Sequence, residues 1–224
     1  MGFSGHTILF SGGKEKKALK VCQPRAFSSL MKMVRMHHFQ ITVQEYYSRG
    51  KQNLFPDLYK CPNPCCRFEV RLRRHGFYTR NVLTLDATFI IVIQRYYCPV
   101  CKKTVSLLPT FVVPHFQYSL TCIFFALYQV VVKHLTLDHI ASCINQRSGR
   151  FELSHQHISF YCRRLVNNRP LIVGFLGSKG VVFACSNDSG LWPQPFIQET
   201  CKLNLESFSL SYFNLQARHF LSKA

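Results

Sequence analysis

The stretches Cys61-Pro-Asn-Pro-Cys-Cys66 and Cys98-Pro-Val-Cys101 decide the fold of this chain. Each stretch holds closely spaced cysteines beside prolines, which is the arrangement of a metal-binding knuckle. Zinc prefers four ligands at tetrahedral corners, so two knuckles supply a complete set. In the first stretch Cys65 and Cys66 both remain possible partners of Cys61, and we favour Cys66 because the residues after Pro64 leave slack for the sulfur atoms to converge. We therefore predict one structural zinc ion (Zn2+) bound by Cys61, Cys66, Cys98 and Cys101.

The alternative for these cysteines is a set of buried free thiols, since Cys is among the residue types most often found in protein cores. The segment 1–10 has no positively charged start followed by a sustained apolar stretch, so we expect no secretory signal and a cytoplasmic, nucleoid-associated location. In a reducing compartment eleven cysteines are poor candidates for disulfides, and closely spaced pairs favour metal. Four thiolates would leave no open coordination position, so the zinc would stabilise the fold without activating water.

The segment between the two cysteine stretches has the residue pattern of β-strands. Residues 68–73 alternate between apolar and charged side chains, which predicts a half-exposed strand, and His75-Gly76 predicts a turn after it. Two further runs, 77–85 and 88–97, are rich in β-branched and aromatic residues and predict an antiparallel hairpin. Residues 46–110 are accordingly predicted to form a small antiparallel β zinc ribbon.

Helical periodicity replaces this pattern after Pro114. We predict helices over 118–133, over 136–145 and over 154–166, the last capped by Ser154. The second and third of these helices resemble a helix-turn-helix, and a plain helical hairpin with a solvated face fits the pattern nearly as well. The predicted fold class is α+β, with the ribbon followed by a three-helix domain at 115–169 and by poorly ordered extensions at 1–45 and 170–224.

The charge of the chain indicates a polyanionic partner. There are 28 Lys and Arg against 10 Asp and Glu, a net charge of +18 in 224 residues. Membrane association is the competing use of basic charge, but the apolar run 120–132 is shorter than the ~20 residues that span a bilayer. We therefore predict duplex DNA as the partner, with no membrane involvement.

Candidate DNA contacts fall into two groups. In a helix-turn-helix the start of the second helix enters the major groove, where side chains meet base edges, and more distant cations contact phosphates. The candidates for base edges are Ser154, His155, Gln156 and Ser159, and those for phosphates on this helix are Arg163 and Arg164, with Arg169 beyond it. The ribbon adds a second set of basic candidates: Arg67, Arg71, Arg73, Arg74, Arg80, Arg95, Lys102 and Lys103.

Several of these motifs resemble a known family. They are Cys61-Pro62 with Cys66, Arg74-His-Gly-Phe-Tyr78, Arg95-Tyr-Tyr-Cys-Pro-Val-Cys-Lys-Lys-Thr104, Ser106-Leu-Leu-Pro109, Pro114 and Tyr118-Ser119. Together they are similar to the zinc-ribbon and helix-turn-helix N-terminal region of bacterial insertion-sequence transposases and of stand-alone transposase-like proteins. The resemblance covers about residues 60–119 and extends weakly to 166. The adjacent Cys65-Cys66 departs from the family pattern, which has a single cysteine there.

The resemblance implies recognition of transposon-end or related DNA. The family usually adds a ribonuclease-H-like domain with three carboxylates, and only Asp188, Glu199 and Glu206 follow the predicted recognition helix. We therefore expect a non-catalytic DNA-binding protein of transposase origin, whose further partners would be a second copy or a separate catalytic transposase subunit. The alternatives are a ribbon that binds RNA or a protein, and the remnant of a truncated transposase without independent function.

Overall fold

The computed structural model describes residues 33–66, 68–148, 152–181, 193–202 and 204–223. Strands and helices follow one another in an α+β order. The strands are β1 (Met33–His37), β2 (Arg73–Leu83), β3 (Thr88–Tyr97) and β4 (Thr104–Pro109). The helices are α1 (Val43–Arg49), α2 (Leu120–Val131), α3 (Leu137–Ser148), α4 (His155–Asn167), α5 (Arg169–Gly177), α6 (Pro193–Lys202) and α7 (Leu205–Gln216), with a short 3-10 helix at Gly50–Gln52.

The four strands form one sheet in the order β1-β4-β3-β2. The predicted hairpin is β2 and β3, and its turn is closed by the backbone bond from Thr84 N–H to the Ala87 carbonyl at 2.9 Å. Strand β4 pairs antiparallel with β3, whereas β1 pairs parallel with β4. The sheet is therefore mixed and larger than the antiparallel ribbon that the sequence predicts, because β1 comes from the N-terminal segment.

The predicted strand at 68–73 and the turn at Gly76 are wrong. Residues 68–72 join no strand of the sheet. They pair instead with residues 58–61, through an isolated bridge between Glu69 and Lys60 and backbone bonds from Cys61 N–H to the Phe68 carbonyl at 3.2 Å and from Leu72 N–H to the Leu58 carbonyl at 2.8 Å. Gly76 lies inside β2, at a register shift between Arg74 and Phe77, and has a φ of 93° that favours glycine. The Gly76 carbonyl accepts a hydrogen bond from Gln94 Nε2 at 2.9 Å, so a side chain on β3 pairs with the carbonyl that the bulge displaces from the strand ladder.

Part of the N-terminal segment that was predicted to be weakly ordered is regular structure. Besides β1, helix α1 begins after Thr42, whose hydroxyl and backbone form a reciprocal capping box with Glu45. Tyr46 on this helix is fully buried, and its hydroxyl donates to the Val92 carbonyl at 2.9 Å. The prediction is wrong for these residues, and residues 1–32 lie outside the described part of the chain.

Helices α2, α3 and α4 form a bundle in which each contacts the other two. Ser119 caps α2 by accepting from Cys122 N–H at 3.1 Å, and Ser154 caps α4 as the sequence predicts. The buried side chains of α3 and α4 include Ile140, Ile144 and Ile158. The helical periodicity therefore predicted three helices correctly, with end points shifted by a few residues.

The predicted poorly ordered C-terminal extension is wrong for its described residues, which form α5, α6 and α7. Phe196 on α6, Phe208 and Tyr212 on α7, and Phe220 after it pack together through edge-on and tilted ring contacts. This aromatic group belongs to the same core as α2, through the contacts that Phe124 makes with Phe196 and Phe220. Among the described residues, no helix is both long and apolar enough to cross a membrane.

Candidate functional site

Four cysteine thiols converge at one end of the sheet. Cys61 and Cys66 come from the segment before β2, and Cys98 and Cys101 lie between β3 and β4. The sulfur atoms of Cys61 and Cys101 are 3.7 Å apart, those of Cys66 and Cys98 are 3.8 Å apart, and all four lie within 4.8 Å of one another. The four residues that the sequence predicts as ligands are thus brought together, and Cys65 is exposed outside the cluster.

The backbone around the cluster has the form of paired knuckles. The amides of Asn63, Phe68 and Lys103 hydrogen-bond the sulfur atoms of Cys61, Cys66 and Cys101, in each case two residues after the cysteine. Amides directed at sulfur stabilise thiolates, which are the form that binds metal. The chain therefore orients donors toward three of the sulfur atoms before any metal is considered.

The donor set fits a tetrahedral metal ion. A zinc ion about 2.3 Å from each of four sulfur atoms requires neighbouring sulfur atoms to be about 3.8 Å apart. The Cys61–Cys101 and Cys66–Cys98 separations of 3.7 Å and 3.8 Å match this value. The four cysteines can therefore hold a metal ion, and their thiolate chemistry suits a soft or borderline ion.

The pKa shifts of the cysteine thiols differ in direction within the cluster. Burial raises the pKa of the Cys61 thiol and of the Cys66 thiol, whereas the pKa of Cys101 is lowered to about 7, because hydrogen bonds from the Asn63 side chain and the Lys103 amide outweigh its burial. Burial thus favours the protonated form of the Cys61 and Cys66 thiols. Binding a metal displaces these protons, which makes metal affinity depend on pH.

The start of α4 presents polar side chains to solvent. Ser154 accepts from His157 N–H, and His157 Nδ1 accepts from Ser154 N–H at 3.2 Å, which makes a capping box with His in the usual place of Glu or Gln. His155 and Gln156 are exposed, and Ser159 is half-buried one turn later. His155 Nδ1 also lies 3.2 Å from the Asp138 carboxylate at the start of α3.

The basic residues farther along α4 are partly engaged with their own helix. Arg163 is exposed and donates to Ser159 Oγ at 3.3 Å. The Arg164 guanidinium stacks over the Phe160 ring at 4.7 Å from its centroid, which holds it at the surface. Arg169 is half-buried at the start of α5.

The predicted contacts on the ribbon fall into exposed and engaged residues. Arg71, Arg73, Arg74, Lys102 and Lys103 are exposed. Two of them have an acidic neighbour, since the carboxylate of Asp57 lies 2.8 Å from Arg71 and 3.8 Å from Arg74. Arg67 lies outside the described residues.

Arg80 and Arg95 are turned into the fold. The Arg80 guanidinium donates to the carbonyls of Val113 and Phe116, and burial lowers its pKa. These hydrogen bonds attach the loop before α2 to β2. The Arg80 guanidinium is therefore not available to bind a phosphate. Arg95 is half-buried, with its guanidinium 5.9 Å from the centroid of the Tyr78 ring and its Nε without a hydrogen-bond partner in the described structure.

Sequence reasoning missed the residues that support these sites. Asn63 donates to the Cys101 sulfur, and its position between two prolines in the first knuckle was the available signal. Asn145 holds the link between α3 and α4 by bonding both the N–H and the carbonyl of Leu153, at 2.7 Å and 2.9 Å. Tyr118 reaches the same link through its hydroxyl, which donates to the Glu152 carbonyl at 3.0 Å. No sequence pattern pairs these residues, because the contacts depend on packing.

The fold and the site define an α+β protein with a four-cysteine candidate metal centre at one end of its sheet and a three-helix bundle that follows the sheet in the chain. Residues 61–146 match a family described as a domain of unknown function (DUF6431). The match begins at the first cysteine of the cluster and ends within α3, so it covers both knuckles, the hairpin and α2. No curated protein and no solved structure matches the chain.

Proposed function

We propose that this protein binds one structural zinc ion and uses α4 and its basic surroundings to bind duplex DNA without catalysing a reaction on it. The observation that carries the proposal is the convergence of four thiols within 4.8 Å of one another, in a chain that also has a three-helix bundle whose final helix begins with exposed polar residues. The resemblance of the cysteine motifs to insertion-sequence transposases supports transposase origin and transposon-end or related DNA as the target.

Zinc is the ion that this donor set favours. Four thiolates at tetrahedral corners are typical of structural zinc sites, whereas magnesium and calcium require oxygen ligands. A site closed by four protein ligands leaves no position for a water molecule or a substrate. The metal would therefore stabilise the fold, which supports a binding function for the protein.

The three-helix bundle supports DNA as the ligand. In a helix-turn-helix the first residues of the final helix face the base edges, and here His155 and Gln156 are the exposed side chains at that point. The Asp138 carboxylate holds the His155 ring at 3.2 Å and so limits the directions in which it can reach. The net charge of +18 supplies the long-range attraction for phosphate.

Phosphate contacts would come from two surfaces. On α4 the exposed Arg163 and the stacked Arg164 are suited to the backbone on either side of a groove. On the ribbon Arg73, Lys102 and Lys103 are exposed and free of the Asp57 carboxylate that engages Arg71 and Arg74. Contacts of this kind position a protein on DNA without reading its sequence.

The metal assignment is tested by two adjacent substitutions. Cys66→Ser removes a ligand of the cluster, while Cys65→Ser removes an exposed thiol next to it. We expect about one zinc per chain in the wild-type protein and in Cys65→Ser, and loss of zinc and of cooperative unfolding in Cys66→Ser, because structural zinc contributes directly to folding. Equal metal content in the two variants would contradict the proposed ligand set.

The DNA assignment is tested by a salt series with three variants. If duplex DNA is the ligand, the logarithm of affinity falls linearly with the logarithm of salt concentration, and Arg163→Gln reduces that slope by about 1. His155→Ala and Gln156→Ala should instead cost about 1–3 kcal/mol on the preferred sequence and little on others. Binding that prefers single strands and is unchanged in His155→Ala and Gln156→Ala would favour an RNA-binding ribbon.

A further inference from the structure

A cavity of about 160 Å³ lies between α2, α3 and the turn of the hairpin, away from the cysteine cluster. Its walls are mainly apolar and include Leu85, Phe125, Leu135, Ile140 and Ile144. An apolar space of about 150 Å³ is large enough to hold a benzene ring, and this one opens to solvent where His139 and Arg147 are exposed. The space therefore suits a flat ring of about six or seven heavy atoms.

A nucleophilic thiol and two polar side chains line the same cavity at four-residue intervals on α3. They are His139, Cys143 and Arg147, which helical geometry places in one stripe. The Cys143 sulfur lies 3.6 Å from His139 Nε2. Apolar walls with a few convergent polar groups are typical of small-molecule sites, and a thiol within reach of an imidazole is the arrangement of an activated nucleophile.

We propose that this cavity binds small, flat α,β-unsaturated carbonyl compounds and that Cys143 forms a covalent adduct with them. His139 Nε2 takes the thiol proton, and the sulfur electron pair forms a bond to the β-carbon of the ligand. The π electrons of the carbon–carbon double bond move to give an enolate, which then takes the proton back from the imidazolium. The net reaction adds S–H across the double bond, consumes no other reactant and regenerates His139.

Arg147 completes the site, because its guanidinium can donate to the carbonyl oxygen where negative charge develops. This assignment explains why a guanidinium and an imidazole flank a thiol on an otherwise apolar wall. The site includes no residue of the cysteine cluster or of α4. The proposal can therefore be tested independently of the proposed DNA binding.

The test is the rate at which each cysteine of the purified protein reacts with cyclohex-2-enone, followed by peptide mass spectrometry. Cys65 serves as the internal reference, since it is exposed on the first knuckle. General-base assistance is worth about 10²–10⁴-fold in enzymes, so we expect Cys143 to react at least about tenfold faster than Cys65. His139→Gln should abolish most of this advantage while the Cys65 rate stays constant. A Cys143 rate no higher than that of Cys65 would overturn the proposal.

A competition experiment on the unmodified protein separates a binding pocket from a merely reactive thiol. Cyclohexanone has the same ring without the double bond, so it can occupy the cavity but cannot react. Excess cyclohexanone should slow the reaction of Cys143 and leave Cys65 unaffected. If both cysteines, or neither, respond to it, the cavity does not bind the ligand and the proposal fails.

Discussion

Replacing Asn145 by Ala tests whether one side chain fixes the geometry between α3 and α4. Asn145 donates to the Leu153 carbonyl at 2.9 Å and accepts from the Leu153 N–H at 2.7 Å. Leu153 is only 1% exposed, so water cannot replace either bond without local opening. Leaving a buried backbone group unpaired costs about 1–3 kcal/mol, which gives about 2–6 kcal/mol for the two groups.

The helix itself recovers a small part of that loss. Asn145 lies within α3, where Ala is favoured over Asn by about 0.5 kcal/mol. The expected net decrease in the free energy of unfolding is therefore about 1.5–5.5 kcal/mol, which corresponds to a factor of roughly 10 to 10⁴ in the folding equilibrium constant. The measurement is urea-induced unfolding followed by circular dichroism, with the midpoint and slope fitted together.

The matched control is Gln146→Ala, because Gln146 is the next residue of α3 and is exposed. Surface substitutions of this kind usually change stability by less than about 0.5 kcal/mol. If Asn145→Ala destabilised the protein no more than the control, the two hydrogen bonds would not hold the link. In that case the orientation of α4 would have to come from core packing alone.

Three further results are expected. Acidification should release the metal, because burial raises the pKa of the Cys61 thiol and favours the protonated form that competes with metal; metal content after dialysis at a series of pH values measures this. Lys102 has a φ of 58°, so Lys102→Gly should leave stability unchanged or raise it by up to about 1 kcal/mol, whereas Lys103→Gly should lower it in the same unfolding assay. Arg80→Met should destabilise the fold by about 2–3 kcal/mol and leave the salt slope of DNA binding unchanged. Arg73→Met, at an exposed arginine, should leave stability unchanged and reduce the salt slope. If the two variants had equal effects in both assays, the distinction between an engaged Arg80 and an exposed Arg73 would be contradicted.

The parts of the structure that sequence predicted correctly are those with local signals. The hairpin of β2 and β3 follows from β-branched and aromatic runs on either side of a short turn, and α2 and α4 follow from serine caps before a helical period. The cysteine cluster followed from the spacing of the cysteines and from the preference of closely spaced thiols for metal. Each of these signals acts within a few residues of the chain.

The errors occurred where long-range packing determines the structure. The sequence of β1 was predicted to be weakly ordered, because the strand forms only by pairing with β4, far along the chain. Residues 68–72 alternate like a strand, yet they form no ladder, since the first knuckle must turn there to reach the second. Helix α6 contacts α2 through the ring pair Phe196–Phe124, and Phe208 on α7 packs on Phe196, so aromatic contacts far along the chain hold both helices in the core.

Arginine exposure was a further property that composition could not supply. Arg73 and Arg80 both lie on β2, yet one is exposed and the other donates to two loop carbonyls. The difference arises because the segment 113–119 covers only the later half of the strand. A count of basic residues therefore overestimates the surface available to DNA.

That covering segment also joins the sheet, which carries the cysteine cluster at its other end, to the helices. Val82 and Leu83 are consecutive in β2 and point to opposite faces, so Val82 belongs to the sheet core and Leu83 to the helical core. The backbone of Leu83 bonds both Gln117 and Ser119, at 2.9 Å and 2.8 Å, directly before α2 begins. Losing the metal would loosen the pairing of β3 with β2 and β4, and the loss would pass along β2 to the start of α2. The metal would thus support DNA binding through the position of the helical bundle, without itself touching the nucleic acid.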